Sequence, residues 1–323
     1  LIEGKVTLKK ISDASGLDSS QFSRLLSEHP ELAKDQLIRY SRRMLKKGLK
    51  KSKKRIVAGT SYKAAGRGGG TLHSRSTRHT ENAQKFNHGK GWIVGHQWTN
   101  IVVYVGGILV PRPPIPFHTK KYCRENNILY KSEHAKIMAY LQNYLLLELL
   151  PGVKAKEIVF LMDSGYDNKK LQKFILSQGY EFMVSIKKTR YVRTETQGWR
   201  QVWDLFNRSR KNSPWKTVRV KTSNGKQRRY RIRELSAGLR GIKSLAKLIC
   251  SEKPNGGKLY LASSNETISA RNIVIAYRLR WMVEVFHHNV KSLLGLEHLG
   301  AHNFKSIEAY VNWIYFSYLF IEE

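Results

Sequence analysis

Residues 273–296 read IVIAYRLRWMVEVFHHNVKSLLGL, and an unbroken helix from about Ser269 to about Leu294 is the reading that decides the fold. On such a helix Tyr277, Arg280, Glu284 and Lys291 follow one another at spacings of three, four and seven residues. At about 100° per residue that gathers them within a stripe of about 60°. A carboxylate then lies in line with a phenol, a guanidinium and an ammonium, with Trp281 and His288 beside it. The combination suits a metal-binding acid among phosphate-gripping donors. The other reading is a solvent-exposed ion-pair face, since Arg280 and Glu284 form an i,i+4 pair worth roughly a few tenths of a kcal/mol.

Upstream, EIVFLMD (157–163) is an apolar run of buried-strand length that ends on Asp163. A helix is expected before it, over residues 131–149, with Ile137, Tyr140, Leu141, Tyr144 and Leu145 inward. Another is expected over about 167–178, and then the strand EFMVSIKK. Earlier strands are KKRIVAGTSY from Lys53, GWIVGHQWTNIVVYV and GGILVPRP; the glycine- and cation-rich stretch 66–90 reads as a mobile loop. This order predicts a layered α/β domain with a mixed sheet. Lys187, Lys188 and Arg190 stand at the exit of its last strand, where they suit DNA-backbone contacts. Residues 191–265 change rhythm: WKTVRVKT and RRYRIREL alternate around the turn sequence SNGK, which predicts a β-rich insertion. Its Trp199, Trp203 and Trp215 suit base stacking, although Trp203, beside Val202, Leu205 and Phe206, reads at least as well as core. The chain closes on an aromatic helix, YVNWIYFSYLF.

At the other end, VTLKKISDASGLDSSQFSRLLSEH (6–29) predicts a helix-turn-helix, with Asp18 or Ser19 capping the second helix. Ile11, Leu17, Phe22 and Leu25 would pack it, and Ser20, Gln21 and Arg24 would face base edges. Ten of the seventeen positions from Arg39 to Arg55 are Lys or Arg, which reads as a phosphate-contacting helix and linker. The whole 323-residue chain carries 58 Lys and Arg against 24 acidic residues, a net charge of +34 that calls for a polyanion. With 41% hydrophobic residues and 7 Trp, 16 Tyr and 11 Phe, it suits a basic enzyme better than a ribosomal or histone-like protein. Cys123 and Cys250 stand far apart without a zinc-like cluster, so neither a disulfide framework nor a structural metal is expected. The apolar run Tyr140 to Leu150 is too short to cross a bilayer, and a soluble cytoplasmic, nucleoid-associated protein is expected.

The spacing Tyr277-x2-Arg280-x3-Glu284-x6-Lys291 resembles the tyrosine, arginine, glutamate and lysine (YREK) signature of bacterial and archaeal insertion-sequence DDE transposases, those with a β-strand subdomain inserted before the catalytic glutamate. LMDSGYDNKKLQKFILSQGYEFMVSIKK is similar to the second-aspartate block of that family, which gives Asp163 the role of second carboxylate. The resemblance runs from about residue 51 to about 300. It implies an RNase H-like mixed sheet with helices on both faces. The expected parts are a helical DNA-binding region over 1–50, the catalytic domain over 51–190 and 266–323, and the insertion over 191–265. Asp163 and Glu284 are implied to be catalytic and metal-binding. Two Mg²⁺ or Mn²⁺ ions are implied in the active form, serving in-line cleavage and strand transfer at terminal inverted repeats and target DNA. Tyr277, Arg280 and Lys291 are implied to grip phosphates near the cut, with Trp281 stacking and His288 a weaker contact, in a homodimer that pairs two ends.

The family's first aspartate stands in an Asp-x-Thr motif on the first strand. Here the corresponding stretch is Ile56, Val57, Ala58, Gly59 and Thr60, so Ala58 takes the acid's place, and no acid occurs between Arg39 and Thr80. The intact remainder of the signature favours a designed aspartate-to-alanine change that traps an inactive DNA complex. A domesticated protein that binds and no longer cuts is the other reading. The carboxylates of Asp163 and Glu284 are expected to converge beside Ala58.

Overall fold

The computed structural model describes residues 18–52, 56–64, 80–87, 92–143, 150–221, 227–252, 256–296 and 301–323. In chain order the elements are α1 (Ser19–Glu28), α2 (Pro30–Lys51), β1 (Ile56–Ala64), β2 (Gln84–Asn87), β3 (Trp92–Val105), β4 (Ile108–Pro111), β5 (Ile115–Pro116), α3 (Lys120–Glu125), α4 (Glu133–Asn143), β6 (Ile158–Met162), α5 (Lys169–Ser177), β7 (Glu181–Ile186), β8 (Tyr191–Thr194), β9 (Gly198–Gln201), α6 (Val202–Arg208), β10 (Lys216–Lys221), β11 (Gln227–Leu239), β12 (Leu245–Glu252), β13 (Lys258–Ser263), α7 (Ala270–Arg278), α8 (Trp281–Ser292) and α9 (Phe304–Ile321). The chain is a mixed α/β protein in two compact units. The first comprises Leu1–Lys54, Thr60–Pro151 and Val283–Glu323; the second comprises Arg55–Gly59 and Gly152–Met282.

In the first unit, β3 pairs antiparallel with β2, β4 and β5. Helix α2 begins on Pro30, whose missing N–H costs nothing at a helix start, and ends on Lys50 and Lys51, which suit the negative end of the helix dipole. Ala33, Leu37, Ser41, Met44, Leu45 and Gly48 bury one face of it against α9 and the β3–β4 hairpin. Gly48 is required there, because a Cβ would stand 2.7 Å from the Val105 carbonyl oxygen. On the same unit Trp98 stacks on Phe304, with centroids 5.6 Å apart and planes at 11°.

In the second unit the strand order is β1-β6-β7-β13-β12-β11-β8-β9, with β10 on β11. The pairs β1–β6 and β6–β7 are parallel, and β7–β13, β13–β12 and β12–β11 are antiparallel, so the sheet is mixed. All five residues of β6, IVFLM, are buried, the pattern of a strand covered on both faces. The hairpin expected around SNGK is present as β10–β11, in register from Lys216 opposite Ile232 to Lys221 opposite Gln227; the SNGK turn lies outside the described residues.

Three expectations need correction, and one is tested over only part of its length. The helix from Ser269 to Leu294 is two helices: at Leu279, Arg280 and Met282 the amides donate to Ala276, Tyr277 and Leu279, three residues back rather than four. Such a tightened turn advances about 120° per residue, so the uniform 100° spacing behind a single stripe for Tyr277, Arg280, Glu284 and Lys291 does not run through it. The stretch 66–90 is not simply loop, since β2 pairs with β3 within it. The helix expected over 131–149 is described as Glu133–Asn143, and 144–149 lie outside the described residues. Trp203 is 41% exposed, whereas Val202, Leu205 and Phe206 are buried. Those three use the i, i+3, i+4 face of α6, and Trp203 stands about 100° off it.

The first helix of the expected helix-turn-helix, with Ile11 and Leu17, also lies outside the described residues. The second is α1, capped by Asp18, whose carboxylate accepts the Ser20 amide at 2.7 Å.

Candidate active site

Asp163 follows directly on β6. Its Oδ1 accepts the Gly165 amide at 2.8 Å and caps the 3-10 turn Ser164–Tyr166, which sets the carboxylate at the end of a parallel strand. The neighbouring strand β1 carries Ala58 in parallel register with Phe160, three residues before Asp163. Ala58 thus lies on the parallel strand next to the one that Asp163 ends, within one unit.

Tyr277 is brought to the same place from α7. Its hydroxyl donates to the Met162 carbonyl at 3.2 Å and is hydrogen-bonded by Ser185 of β7. Burial pushes the phenol above its ordinary pKa; the Arg280 guanidinium and the Ser185 hydrogen bond oppose this, and the nearby Asp163 charge adds to it. The Arg280 guanidinium lies over the Tyr277 ring, 5.9 Å from its centroid. Asp163, Tyr277 and Arg280 are therefore together in the second unit. The α7 N-terminus is fixed by Ser269, which accepts the Asn272 amide.

Glu284 stands in the first turn of α8 and belongs to the first unit, with His288 and Lys291 one and two turns on along the same flank. Glu284 and Lys291 are half-buried and His288 is exposed. The neighbouring face of α8 buries Val283, Phe286, His287 and Val290. His287, which sequence reasoning passed over, accepts at Nε2 from the Asn100 amide at 3.3 Å, and the Tyr315 hydroxyl donates to the Asn100 oxygen at 2.7 Å. A polar trio in an apolar setting anchors the helix that carries Glu284. Trp281, at the start of α8, is 65% exposed.

Among the described residues, no group of three or more His, Cys, Asp or Glu is placed to hold a metal ion. Cys123 and Cys250 are free and buried. The acids that the resemblance implies are Asp163 and Glu284, and the third position is an alanine without a donor atom. A divalent ion of the implied kind takes oxygen ligands; Asp163 and Glu284 carry such oxygens and Ala58 carries none.

The other expected contacts divide. Lys187 and Lys188 are exposed, whereas Arg190 is tied down: Nε lies 3.6 Å from Asp167, and the guanidinium donates to Gln172 Oε1 and the Arg240 carbonyl. Ser20, Gln21 and Arg24 are exposed on α1. Trp199 is exposed beneath the Arg193 guanidinium at 5.3 Å; Trp215 is half-buried, with Arg231 at 5.2 Å. Missed in the sequence was the cationic face of β10–β11, where Arg219 pairs with Arg229 and both are exposed. Arg271 and Arg278 of α7 donate to the Arg219 and Lys221 carbonyls beside it. Cations at alternate positions of WKTVRVKT and QRRYRIR were the available signal.

The family model of the transposase DDE domain matches residues 131–320, more than half of the chain. The chain belongs to the transposase DDE domain family. The match includes Asp163 and Glu284, and Ala58 lies before it. No curated protein matches the chain. Among solved structures, a cryo-EM structure of a piggyBac transposase synaptic complex with hairpin DNA is similar at 11% identity and a TM-score of 0.41, over 98% of this chain and 62% of that one. The chain thus spans under two thirds of that protein's chain, a likeness too weak to assign a fold. No helix among the described residues of this family member is long and apolar enough to cross a membrane.

Proposed function

We propose that the chain is an insertion-sequence transposase of the YREK group, with an RNase H-like catalytic domain, a β-rich insertion over 191–265 and an N-terminal helix-turn-helix. Its partners are terminal inverted repeats and target duplex DNA, bound by a homodimer in the prokaryotic cytoplasm. Asp163 and Glu284 are the carboxylates of the site. An aspartate at position 58 would complete the set for Mg²⁺ or Mn²⁺, which when bound supply charge neutralisation at the attacking and departing oxygens. Arg280, Trp281, His288, Lys291, Lys187, Lys188 and the α1 residues Ser20, Gln21 and Arg24 contact DNA. Tyr277 serves the site through the β6 exit, and Arg190 steadies the fold beside it. The alanine is a designed replacement, and the chain as given binds without cutting.

What carries this reading is the placement of Asp163 at the end of β6, one strand from Ala58, with Tyr277 and Arg280 against it. Ala58 itself favours a second reading, a domesticated binding protein. The two part on restoring the acid: Ala58→Asp protein, given Mg²⁺ or Mn²⁺ and inverted-repeat duplexes from the gene's flanks, nicks the repeat ends under the first reading. Intact DNA at every plausible end, with binding retained, selects the second.

A further inference from the structure

Helix α2 carries Arg39, Arg42, Arg43, Lys46, Lys47 and Lys50 along one open surface. Their spacing, i, i+3, i+4, i+7, i+8 and i+11, places all six on one side, opposite the buried Leu37, Ser41, Met44, Leu45 and Gly48. Several of these cations are i,i+3 or i,i+4 neighbours, an arrangement unfavourable in an isolated helix. The mount is rigid. Ser41 donates to the Pro111 carbonyl at 3.1 Å, and Gly48 packs without room for a Cβ against Val105.

An oxyanion already sits on this stripe. The Glu323 side chain lies 2.7 Å from Arg43 Nη2 and accepts from the Tyr40 hydroxyl, and Lys47 Nζ donates to the Glu323 main-chain oxygen at 2.9 Å. The Tyr40 hydrogen bond, foremost, and then Arg43 hold the Glu323 carboxyl below its ordinary pKa. From Arg39 to Lys50 the helix rises about 17 Å.

We propose that this face of α2 is a phosphate track for one strand of duplex DNA, in which Glu323, with Tyr40, occupies the Arg43–Lys47 positions and yields them to phosphate. The proposal rests on the reading as a DNA-binding transposase, and adds a site that shares no residue with the Asp163 and Glu284 pair and holds backbone without reading bases.

The test uses the chain as it is, with fluorescence anisotropy on a random duplex and on an inverted-repeat duplex from 50 to 200 mM NaCl. In a variant with Arg39→Gln, Arg42→Gln, Lys46→Gln and Lys50→Gln, the slope of log Kobs against log salt shrinks by about 3–4, at about 0.9 per phosphate lost. The loss is equal on both duplexes, and at these exposed positions, relieved of like-charge repulsion, the thermal midpoint does not fall. Glu323→Gln tightens binding and steepens the slope. An unchanged slope in the folded quadruple variant overturns the track, as does a change seen on anionic vesicles but absent on DNA. A Glu323→Gln protein that binds no tighter overturns the occupancy by Glu323. If Ala58→Asp protein cuts while the quadruple variant keeps its slope, this inference alone falls. If the slope shrinks and Ala58→Asp protein never cuts, the catalytic reading alone falls.

Discussion

The Tyr277 hydroxyl donates to the carbonyl of Met162, the residue before Asp163, at 3.2 Å. A phenol held this way, and met by Ser185 as well, fixes the backbone from which the carboxylate projects. Tyr277→Phe keeps the ring beneath Arg280 and removes the donor. The expected cost is about 1 kcal/mol of stability by urea denaturation, with slower nicking in the Ala58→Asp background and duplex affinity unchanged. Weaker DNA binding at unaltered stability would instead place the hydroxyl on a phosphate.

Gly48 of α2 and Gly106 of the β3–β4 turn lie at a close backbone approach. Alanine at 48 would gain up to about 1 kcal/mol of helix propensity but set a Cβ 2.7 Å from both Val105 Cγ1 and its carbonyl oxygen. Backbone cannot yield as a side-chain end can, so overpacking, about 1–3 kcal/mol, outweighs the gain. Gly48→Ala lowers the denaturation midpoint. Gly106→Ala lowers it further, because φ is +58° and the new Cβ would meet the Gly48 oxygen at 2.1 Å.

How much of this was legible beforehand follows from which residues carry local information. The apolar run ending at Asp163 could only be a covered strand, and β6 is one; the alternation flanking SNGK specified the β10–β11 hairpin. The break at Leu279 and Arg280 left no mark, because both are good helix formers and no glycine or proline stands beside them. The core alternative for Trp203 came from adjacency in sequence, which is not adjacency on a helix. The Asn100, His287 and Tyr315 trio joins residues 187 and 215 positions apart, and no window of sequence contains it.

That trio yields its own expectation. Asn100 and Tyr315 are fully buried, and burial holds the Tyr315 phenol above its ordinary pKa, so it stays a neutral donor. Tyr315→Phe leaves the Asn100 oxygen unpaired at a cost of about 1–3 kcal/mol, read as a lower urea midpoint. Since His287 is three residues after Glu284 on α8, the same variant in the Ala58→Asp background also slows nicking. Nicking at the parent rate in a protein destabilised this much would separate the trio from the site.

His118 and Lys136 give the first unit a pH profile. Burial, aided by the Lys136 charge, lowers His118 from 6.5 to about 4. Burial also lowers Lys136 from 10.5 to about 8, while its ammonium donates to the Pro116 carbonyl at 2.8 Å. Each folded pKa lies below the unfolded one, so between the two values the unfolded chain binds more protons and stability rises with pH. The histidine contribution is whole above pH 6.5 and is lost as pH falls towards about 4; the lysine contribution grows from about 8 to 10.5. His118→Phe keeps a ring against Tyr122 and Phe304, which lie 5.3 and 5.6 Å from the His118 centroid. Urea midpoints measured from pH 4 to 10 should therefore flatten in the acid window alone for His118→Phe. Lys136→Met should flatten chiefly the alkaline window, with a smaller acid effect because Lys136 contributes to the histidine shift. Equal acid slopes in the parent and His118→Phe would mean that His118 keeps its ordinary pKa in the folded chain.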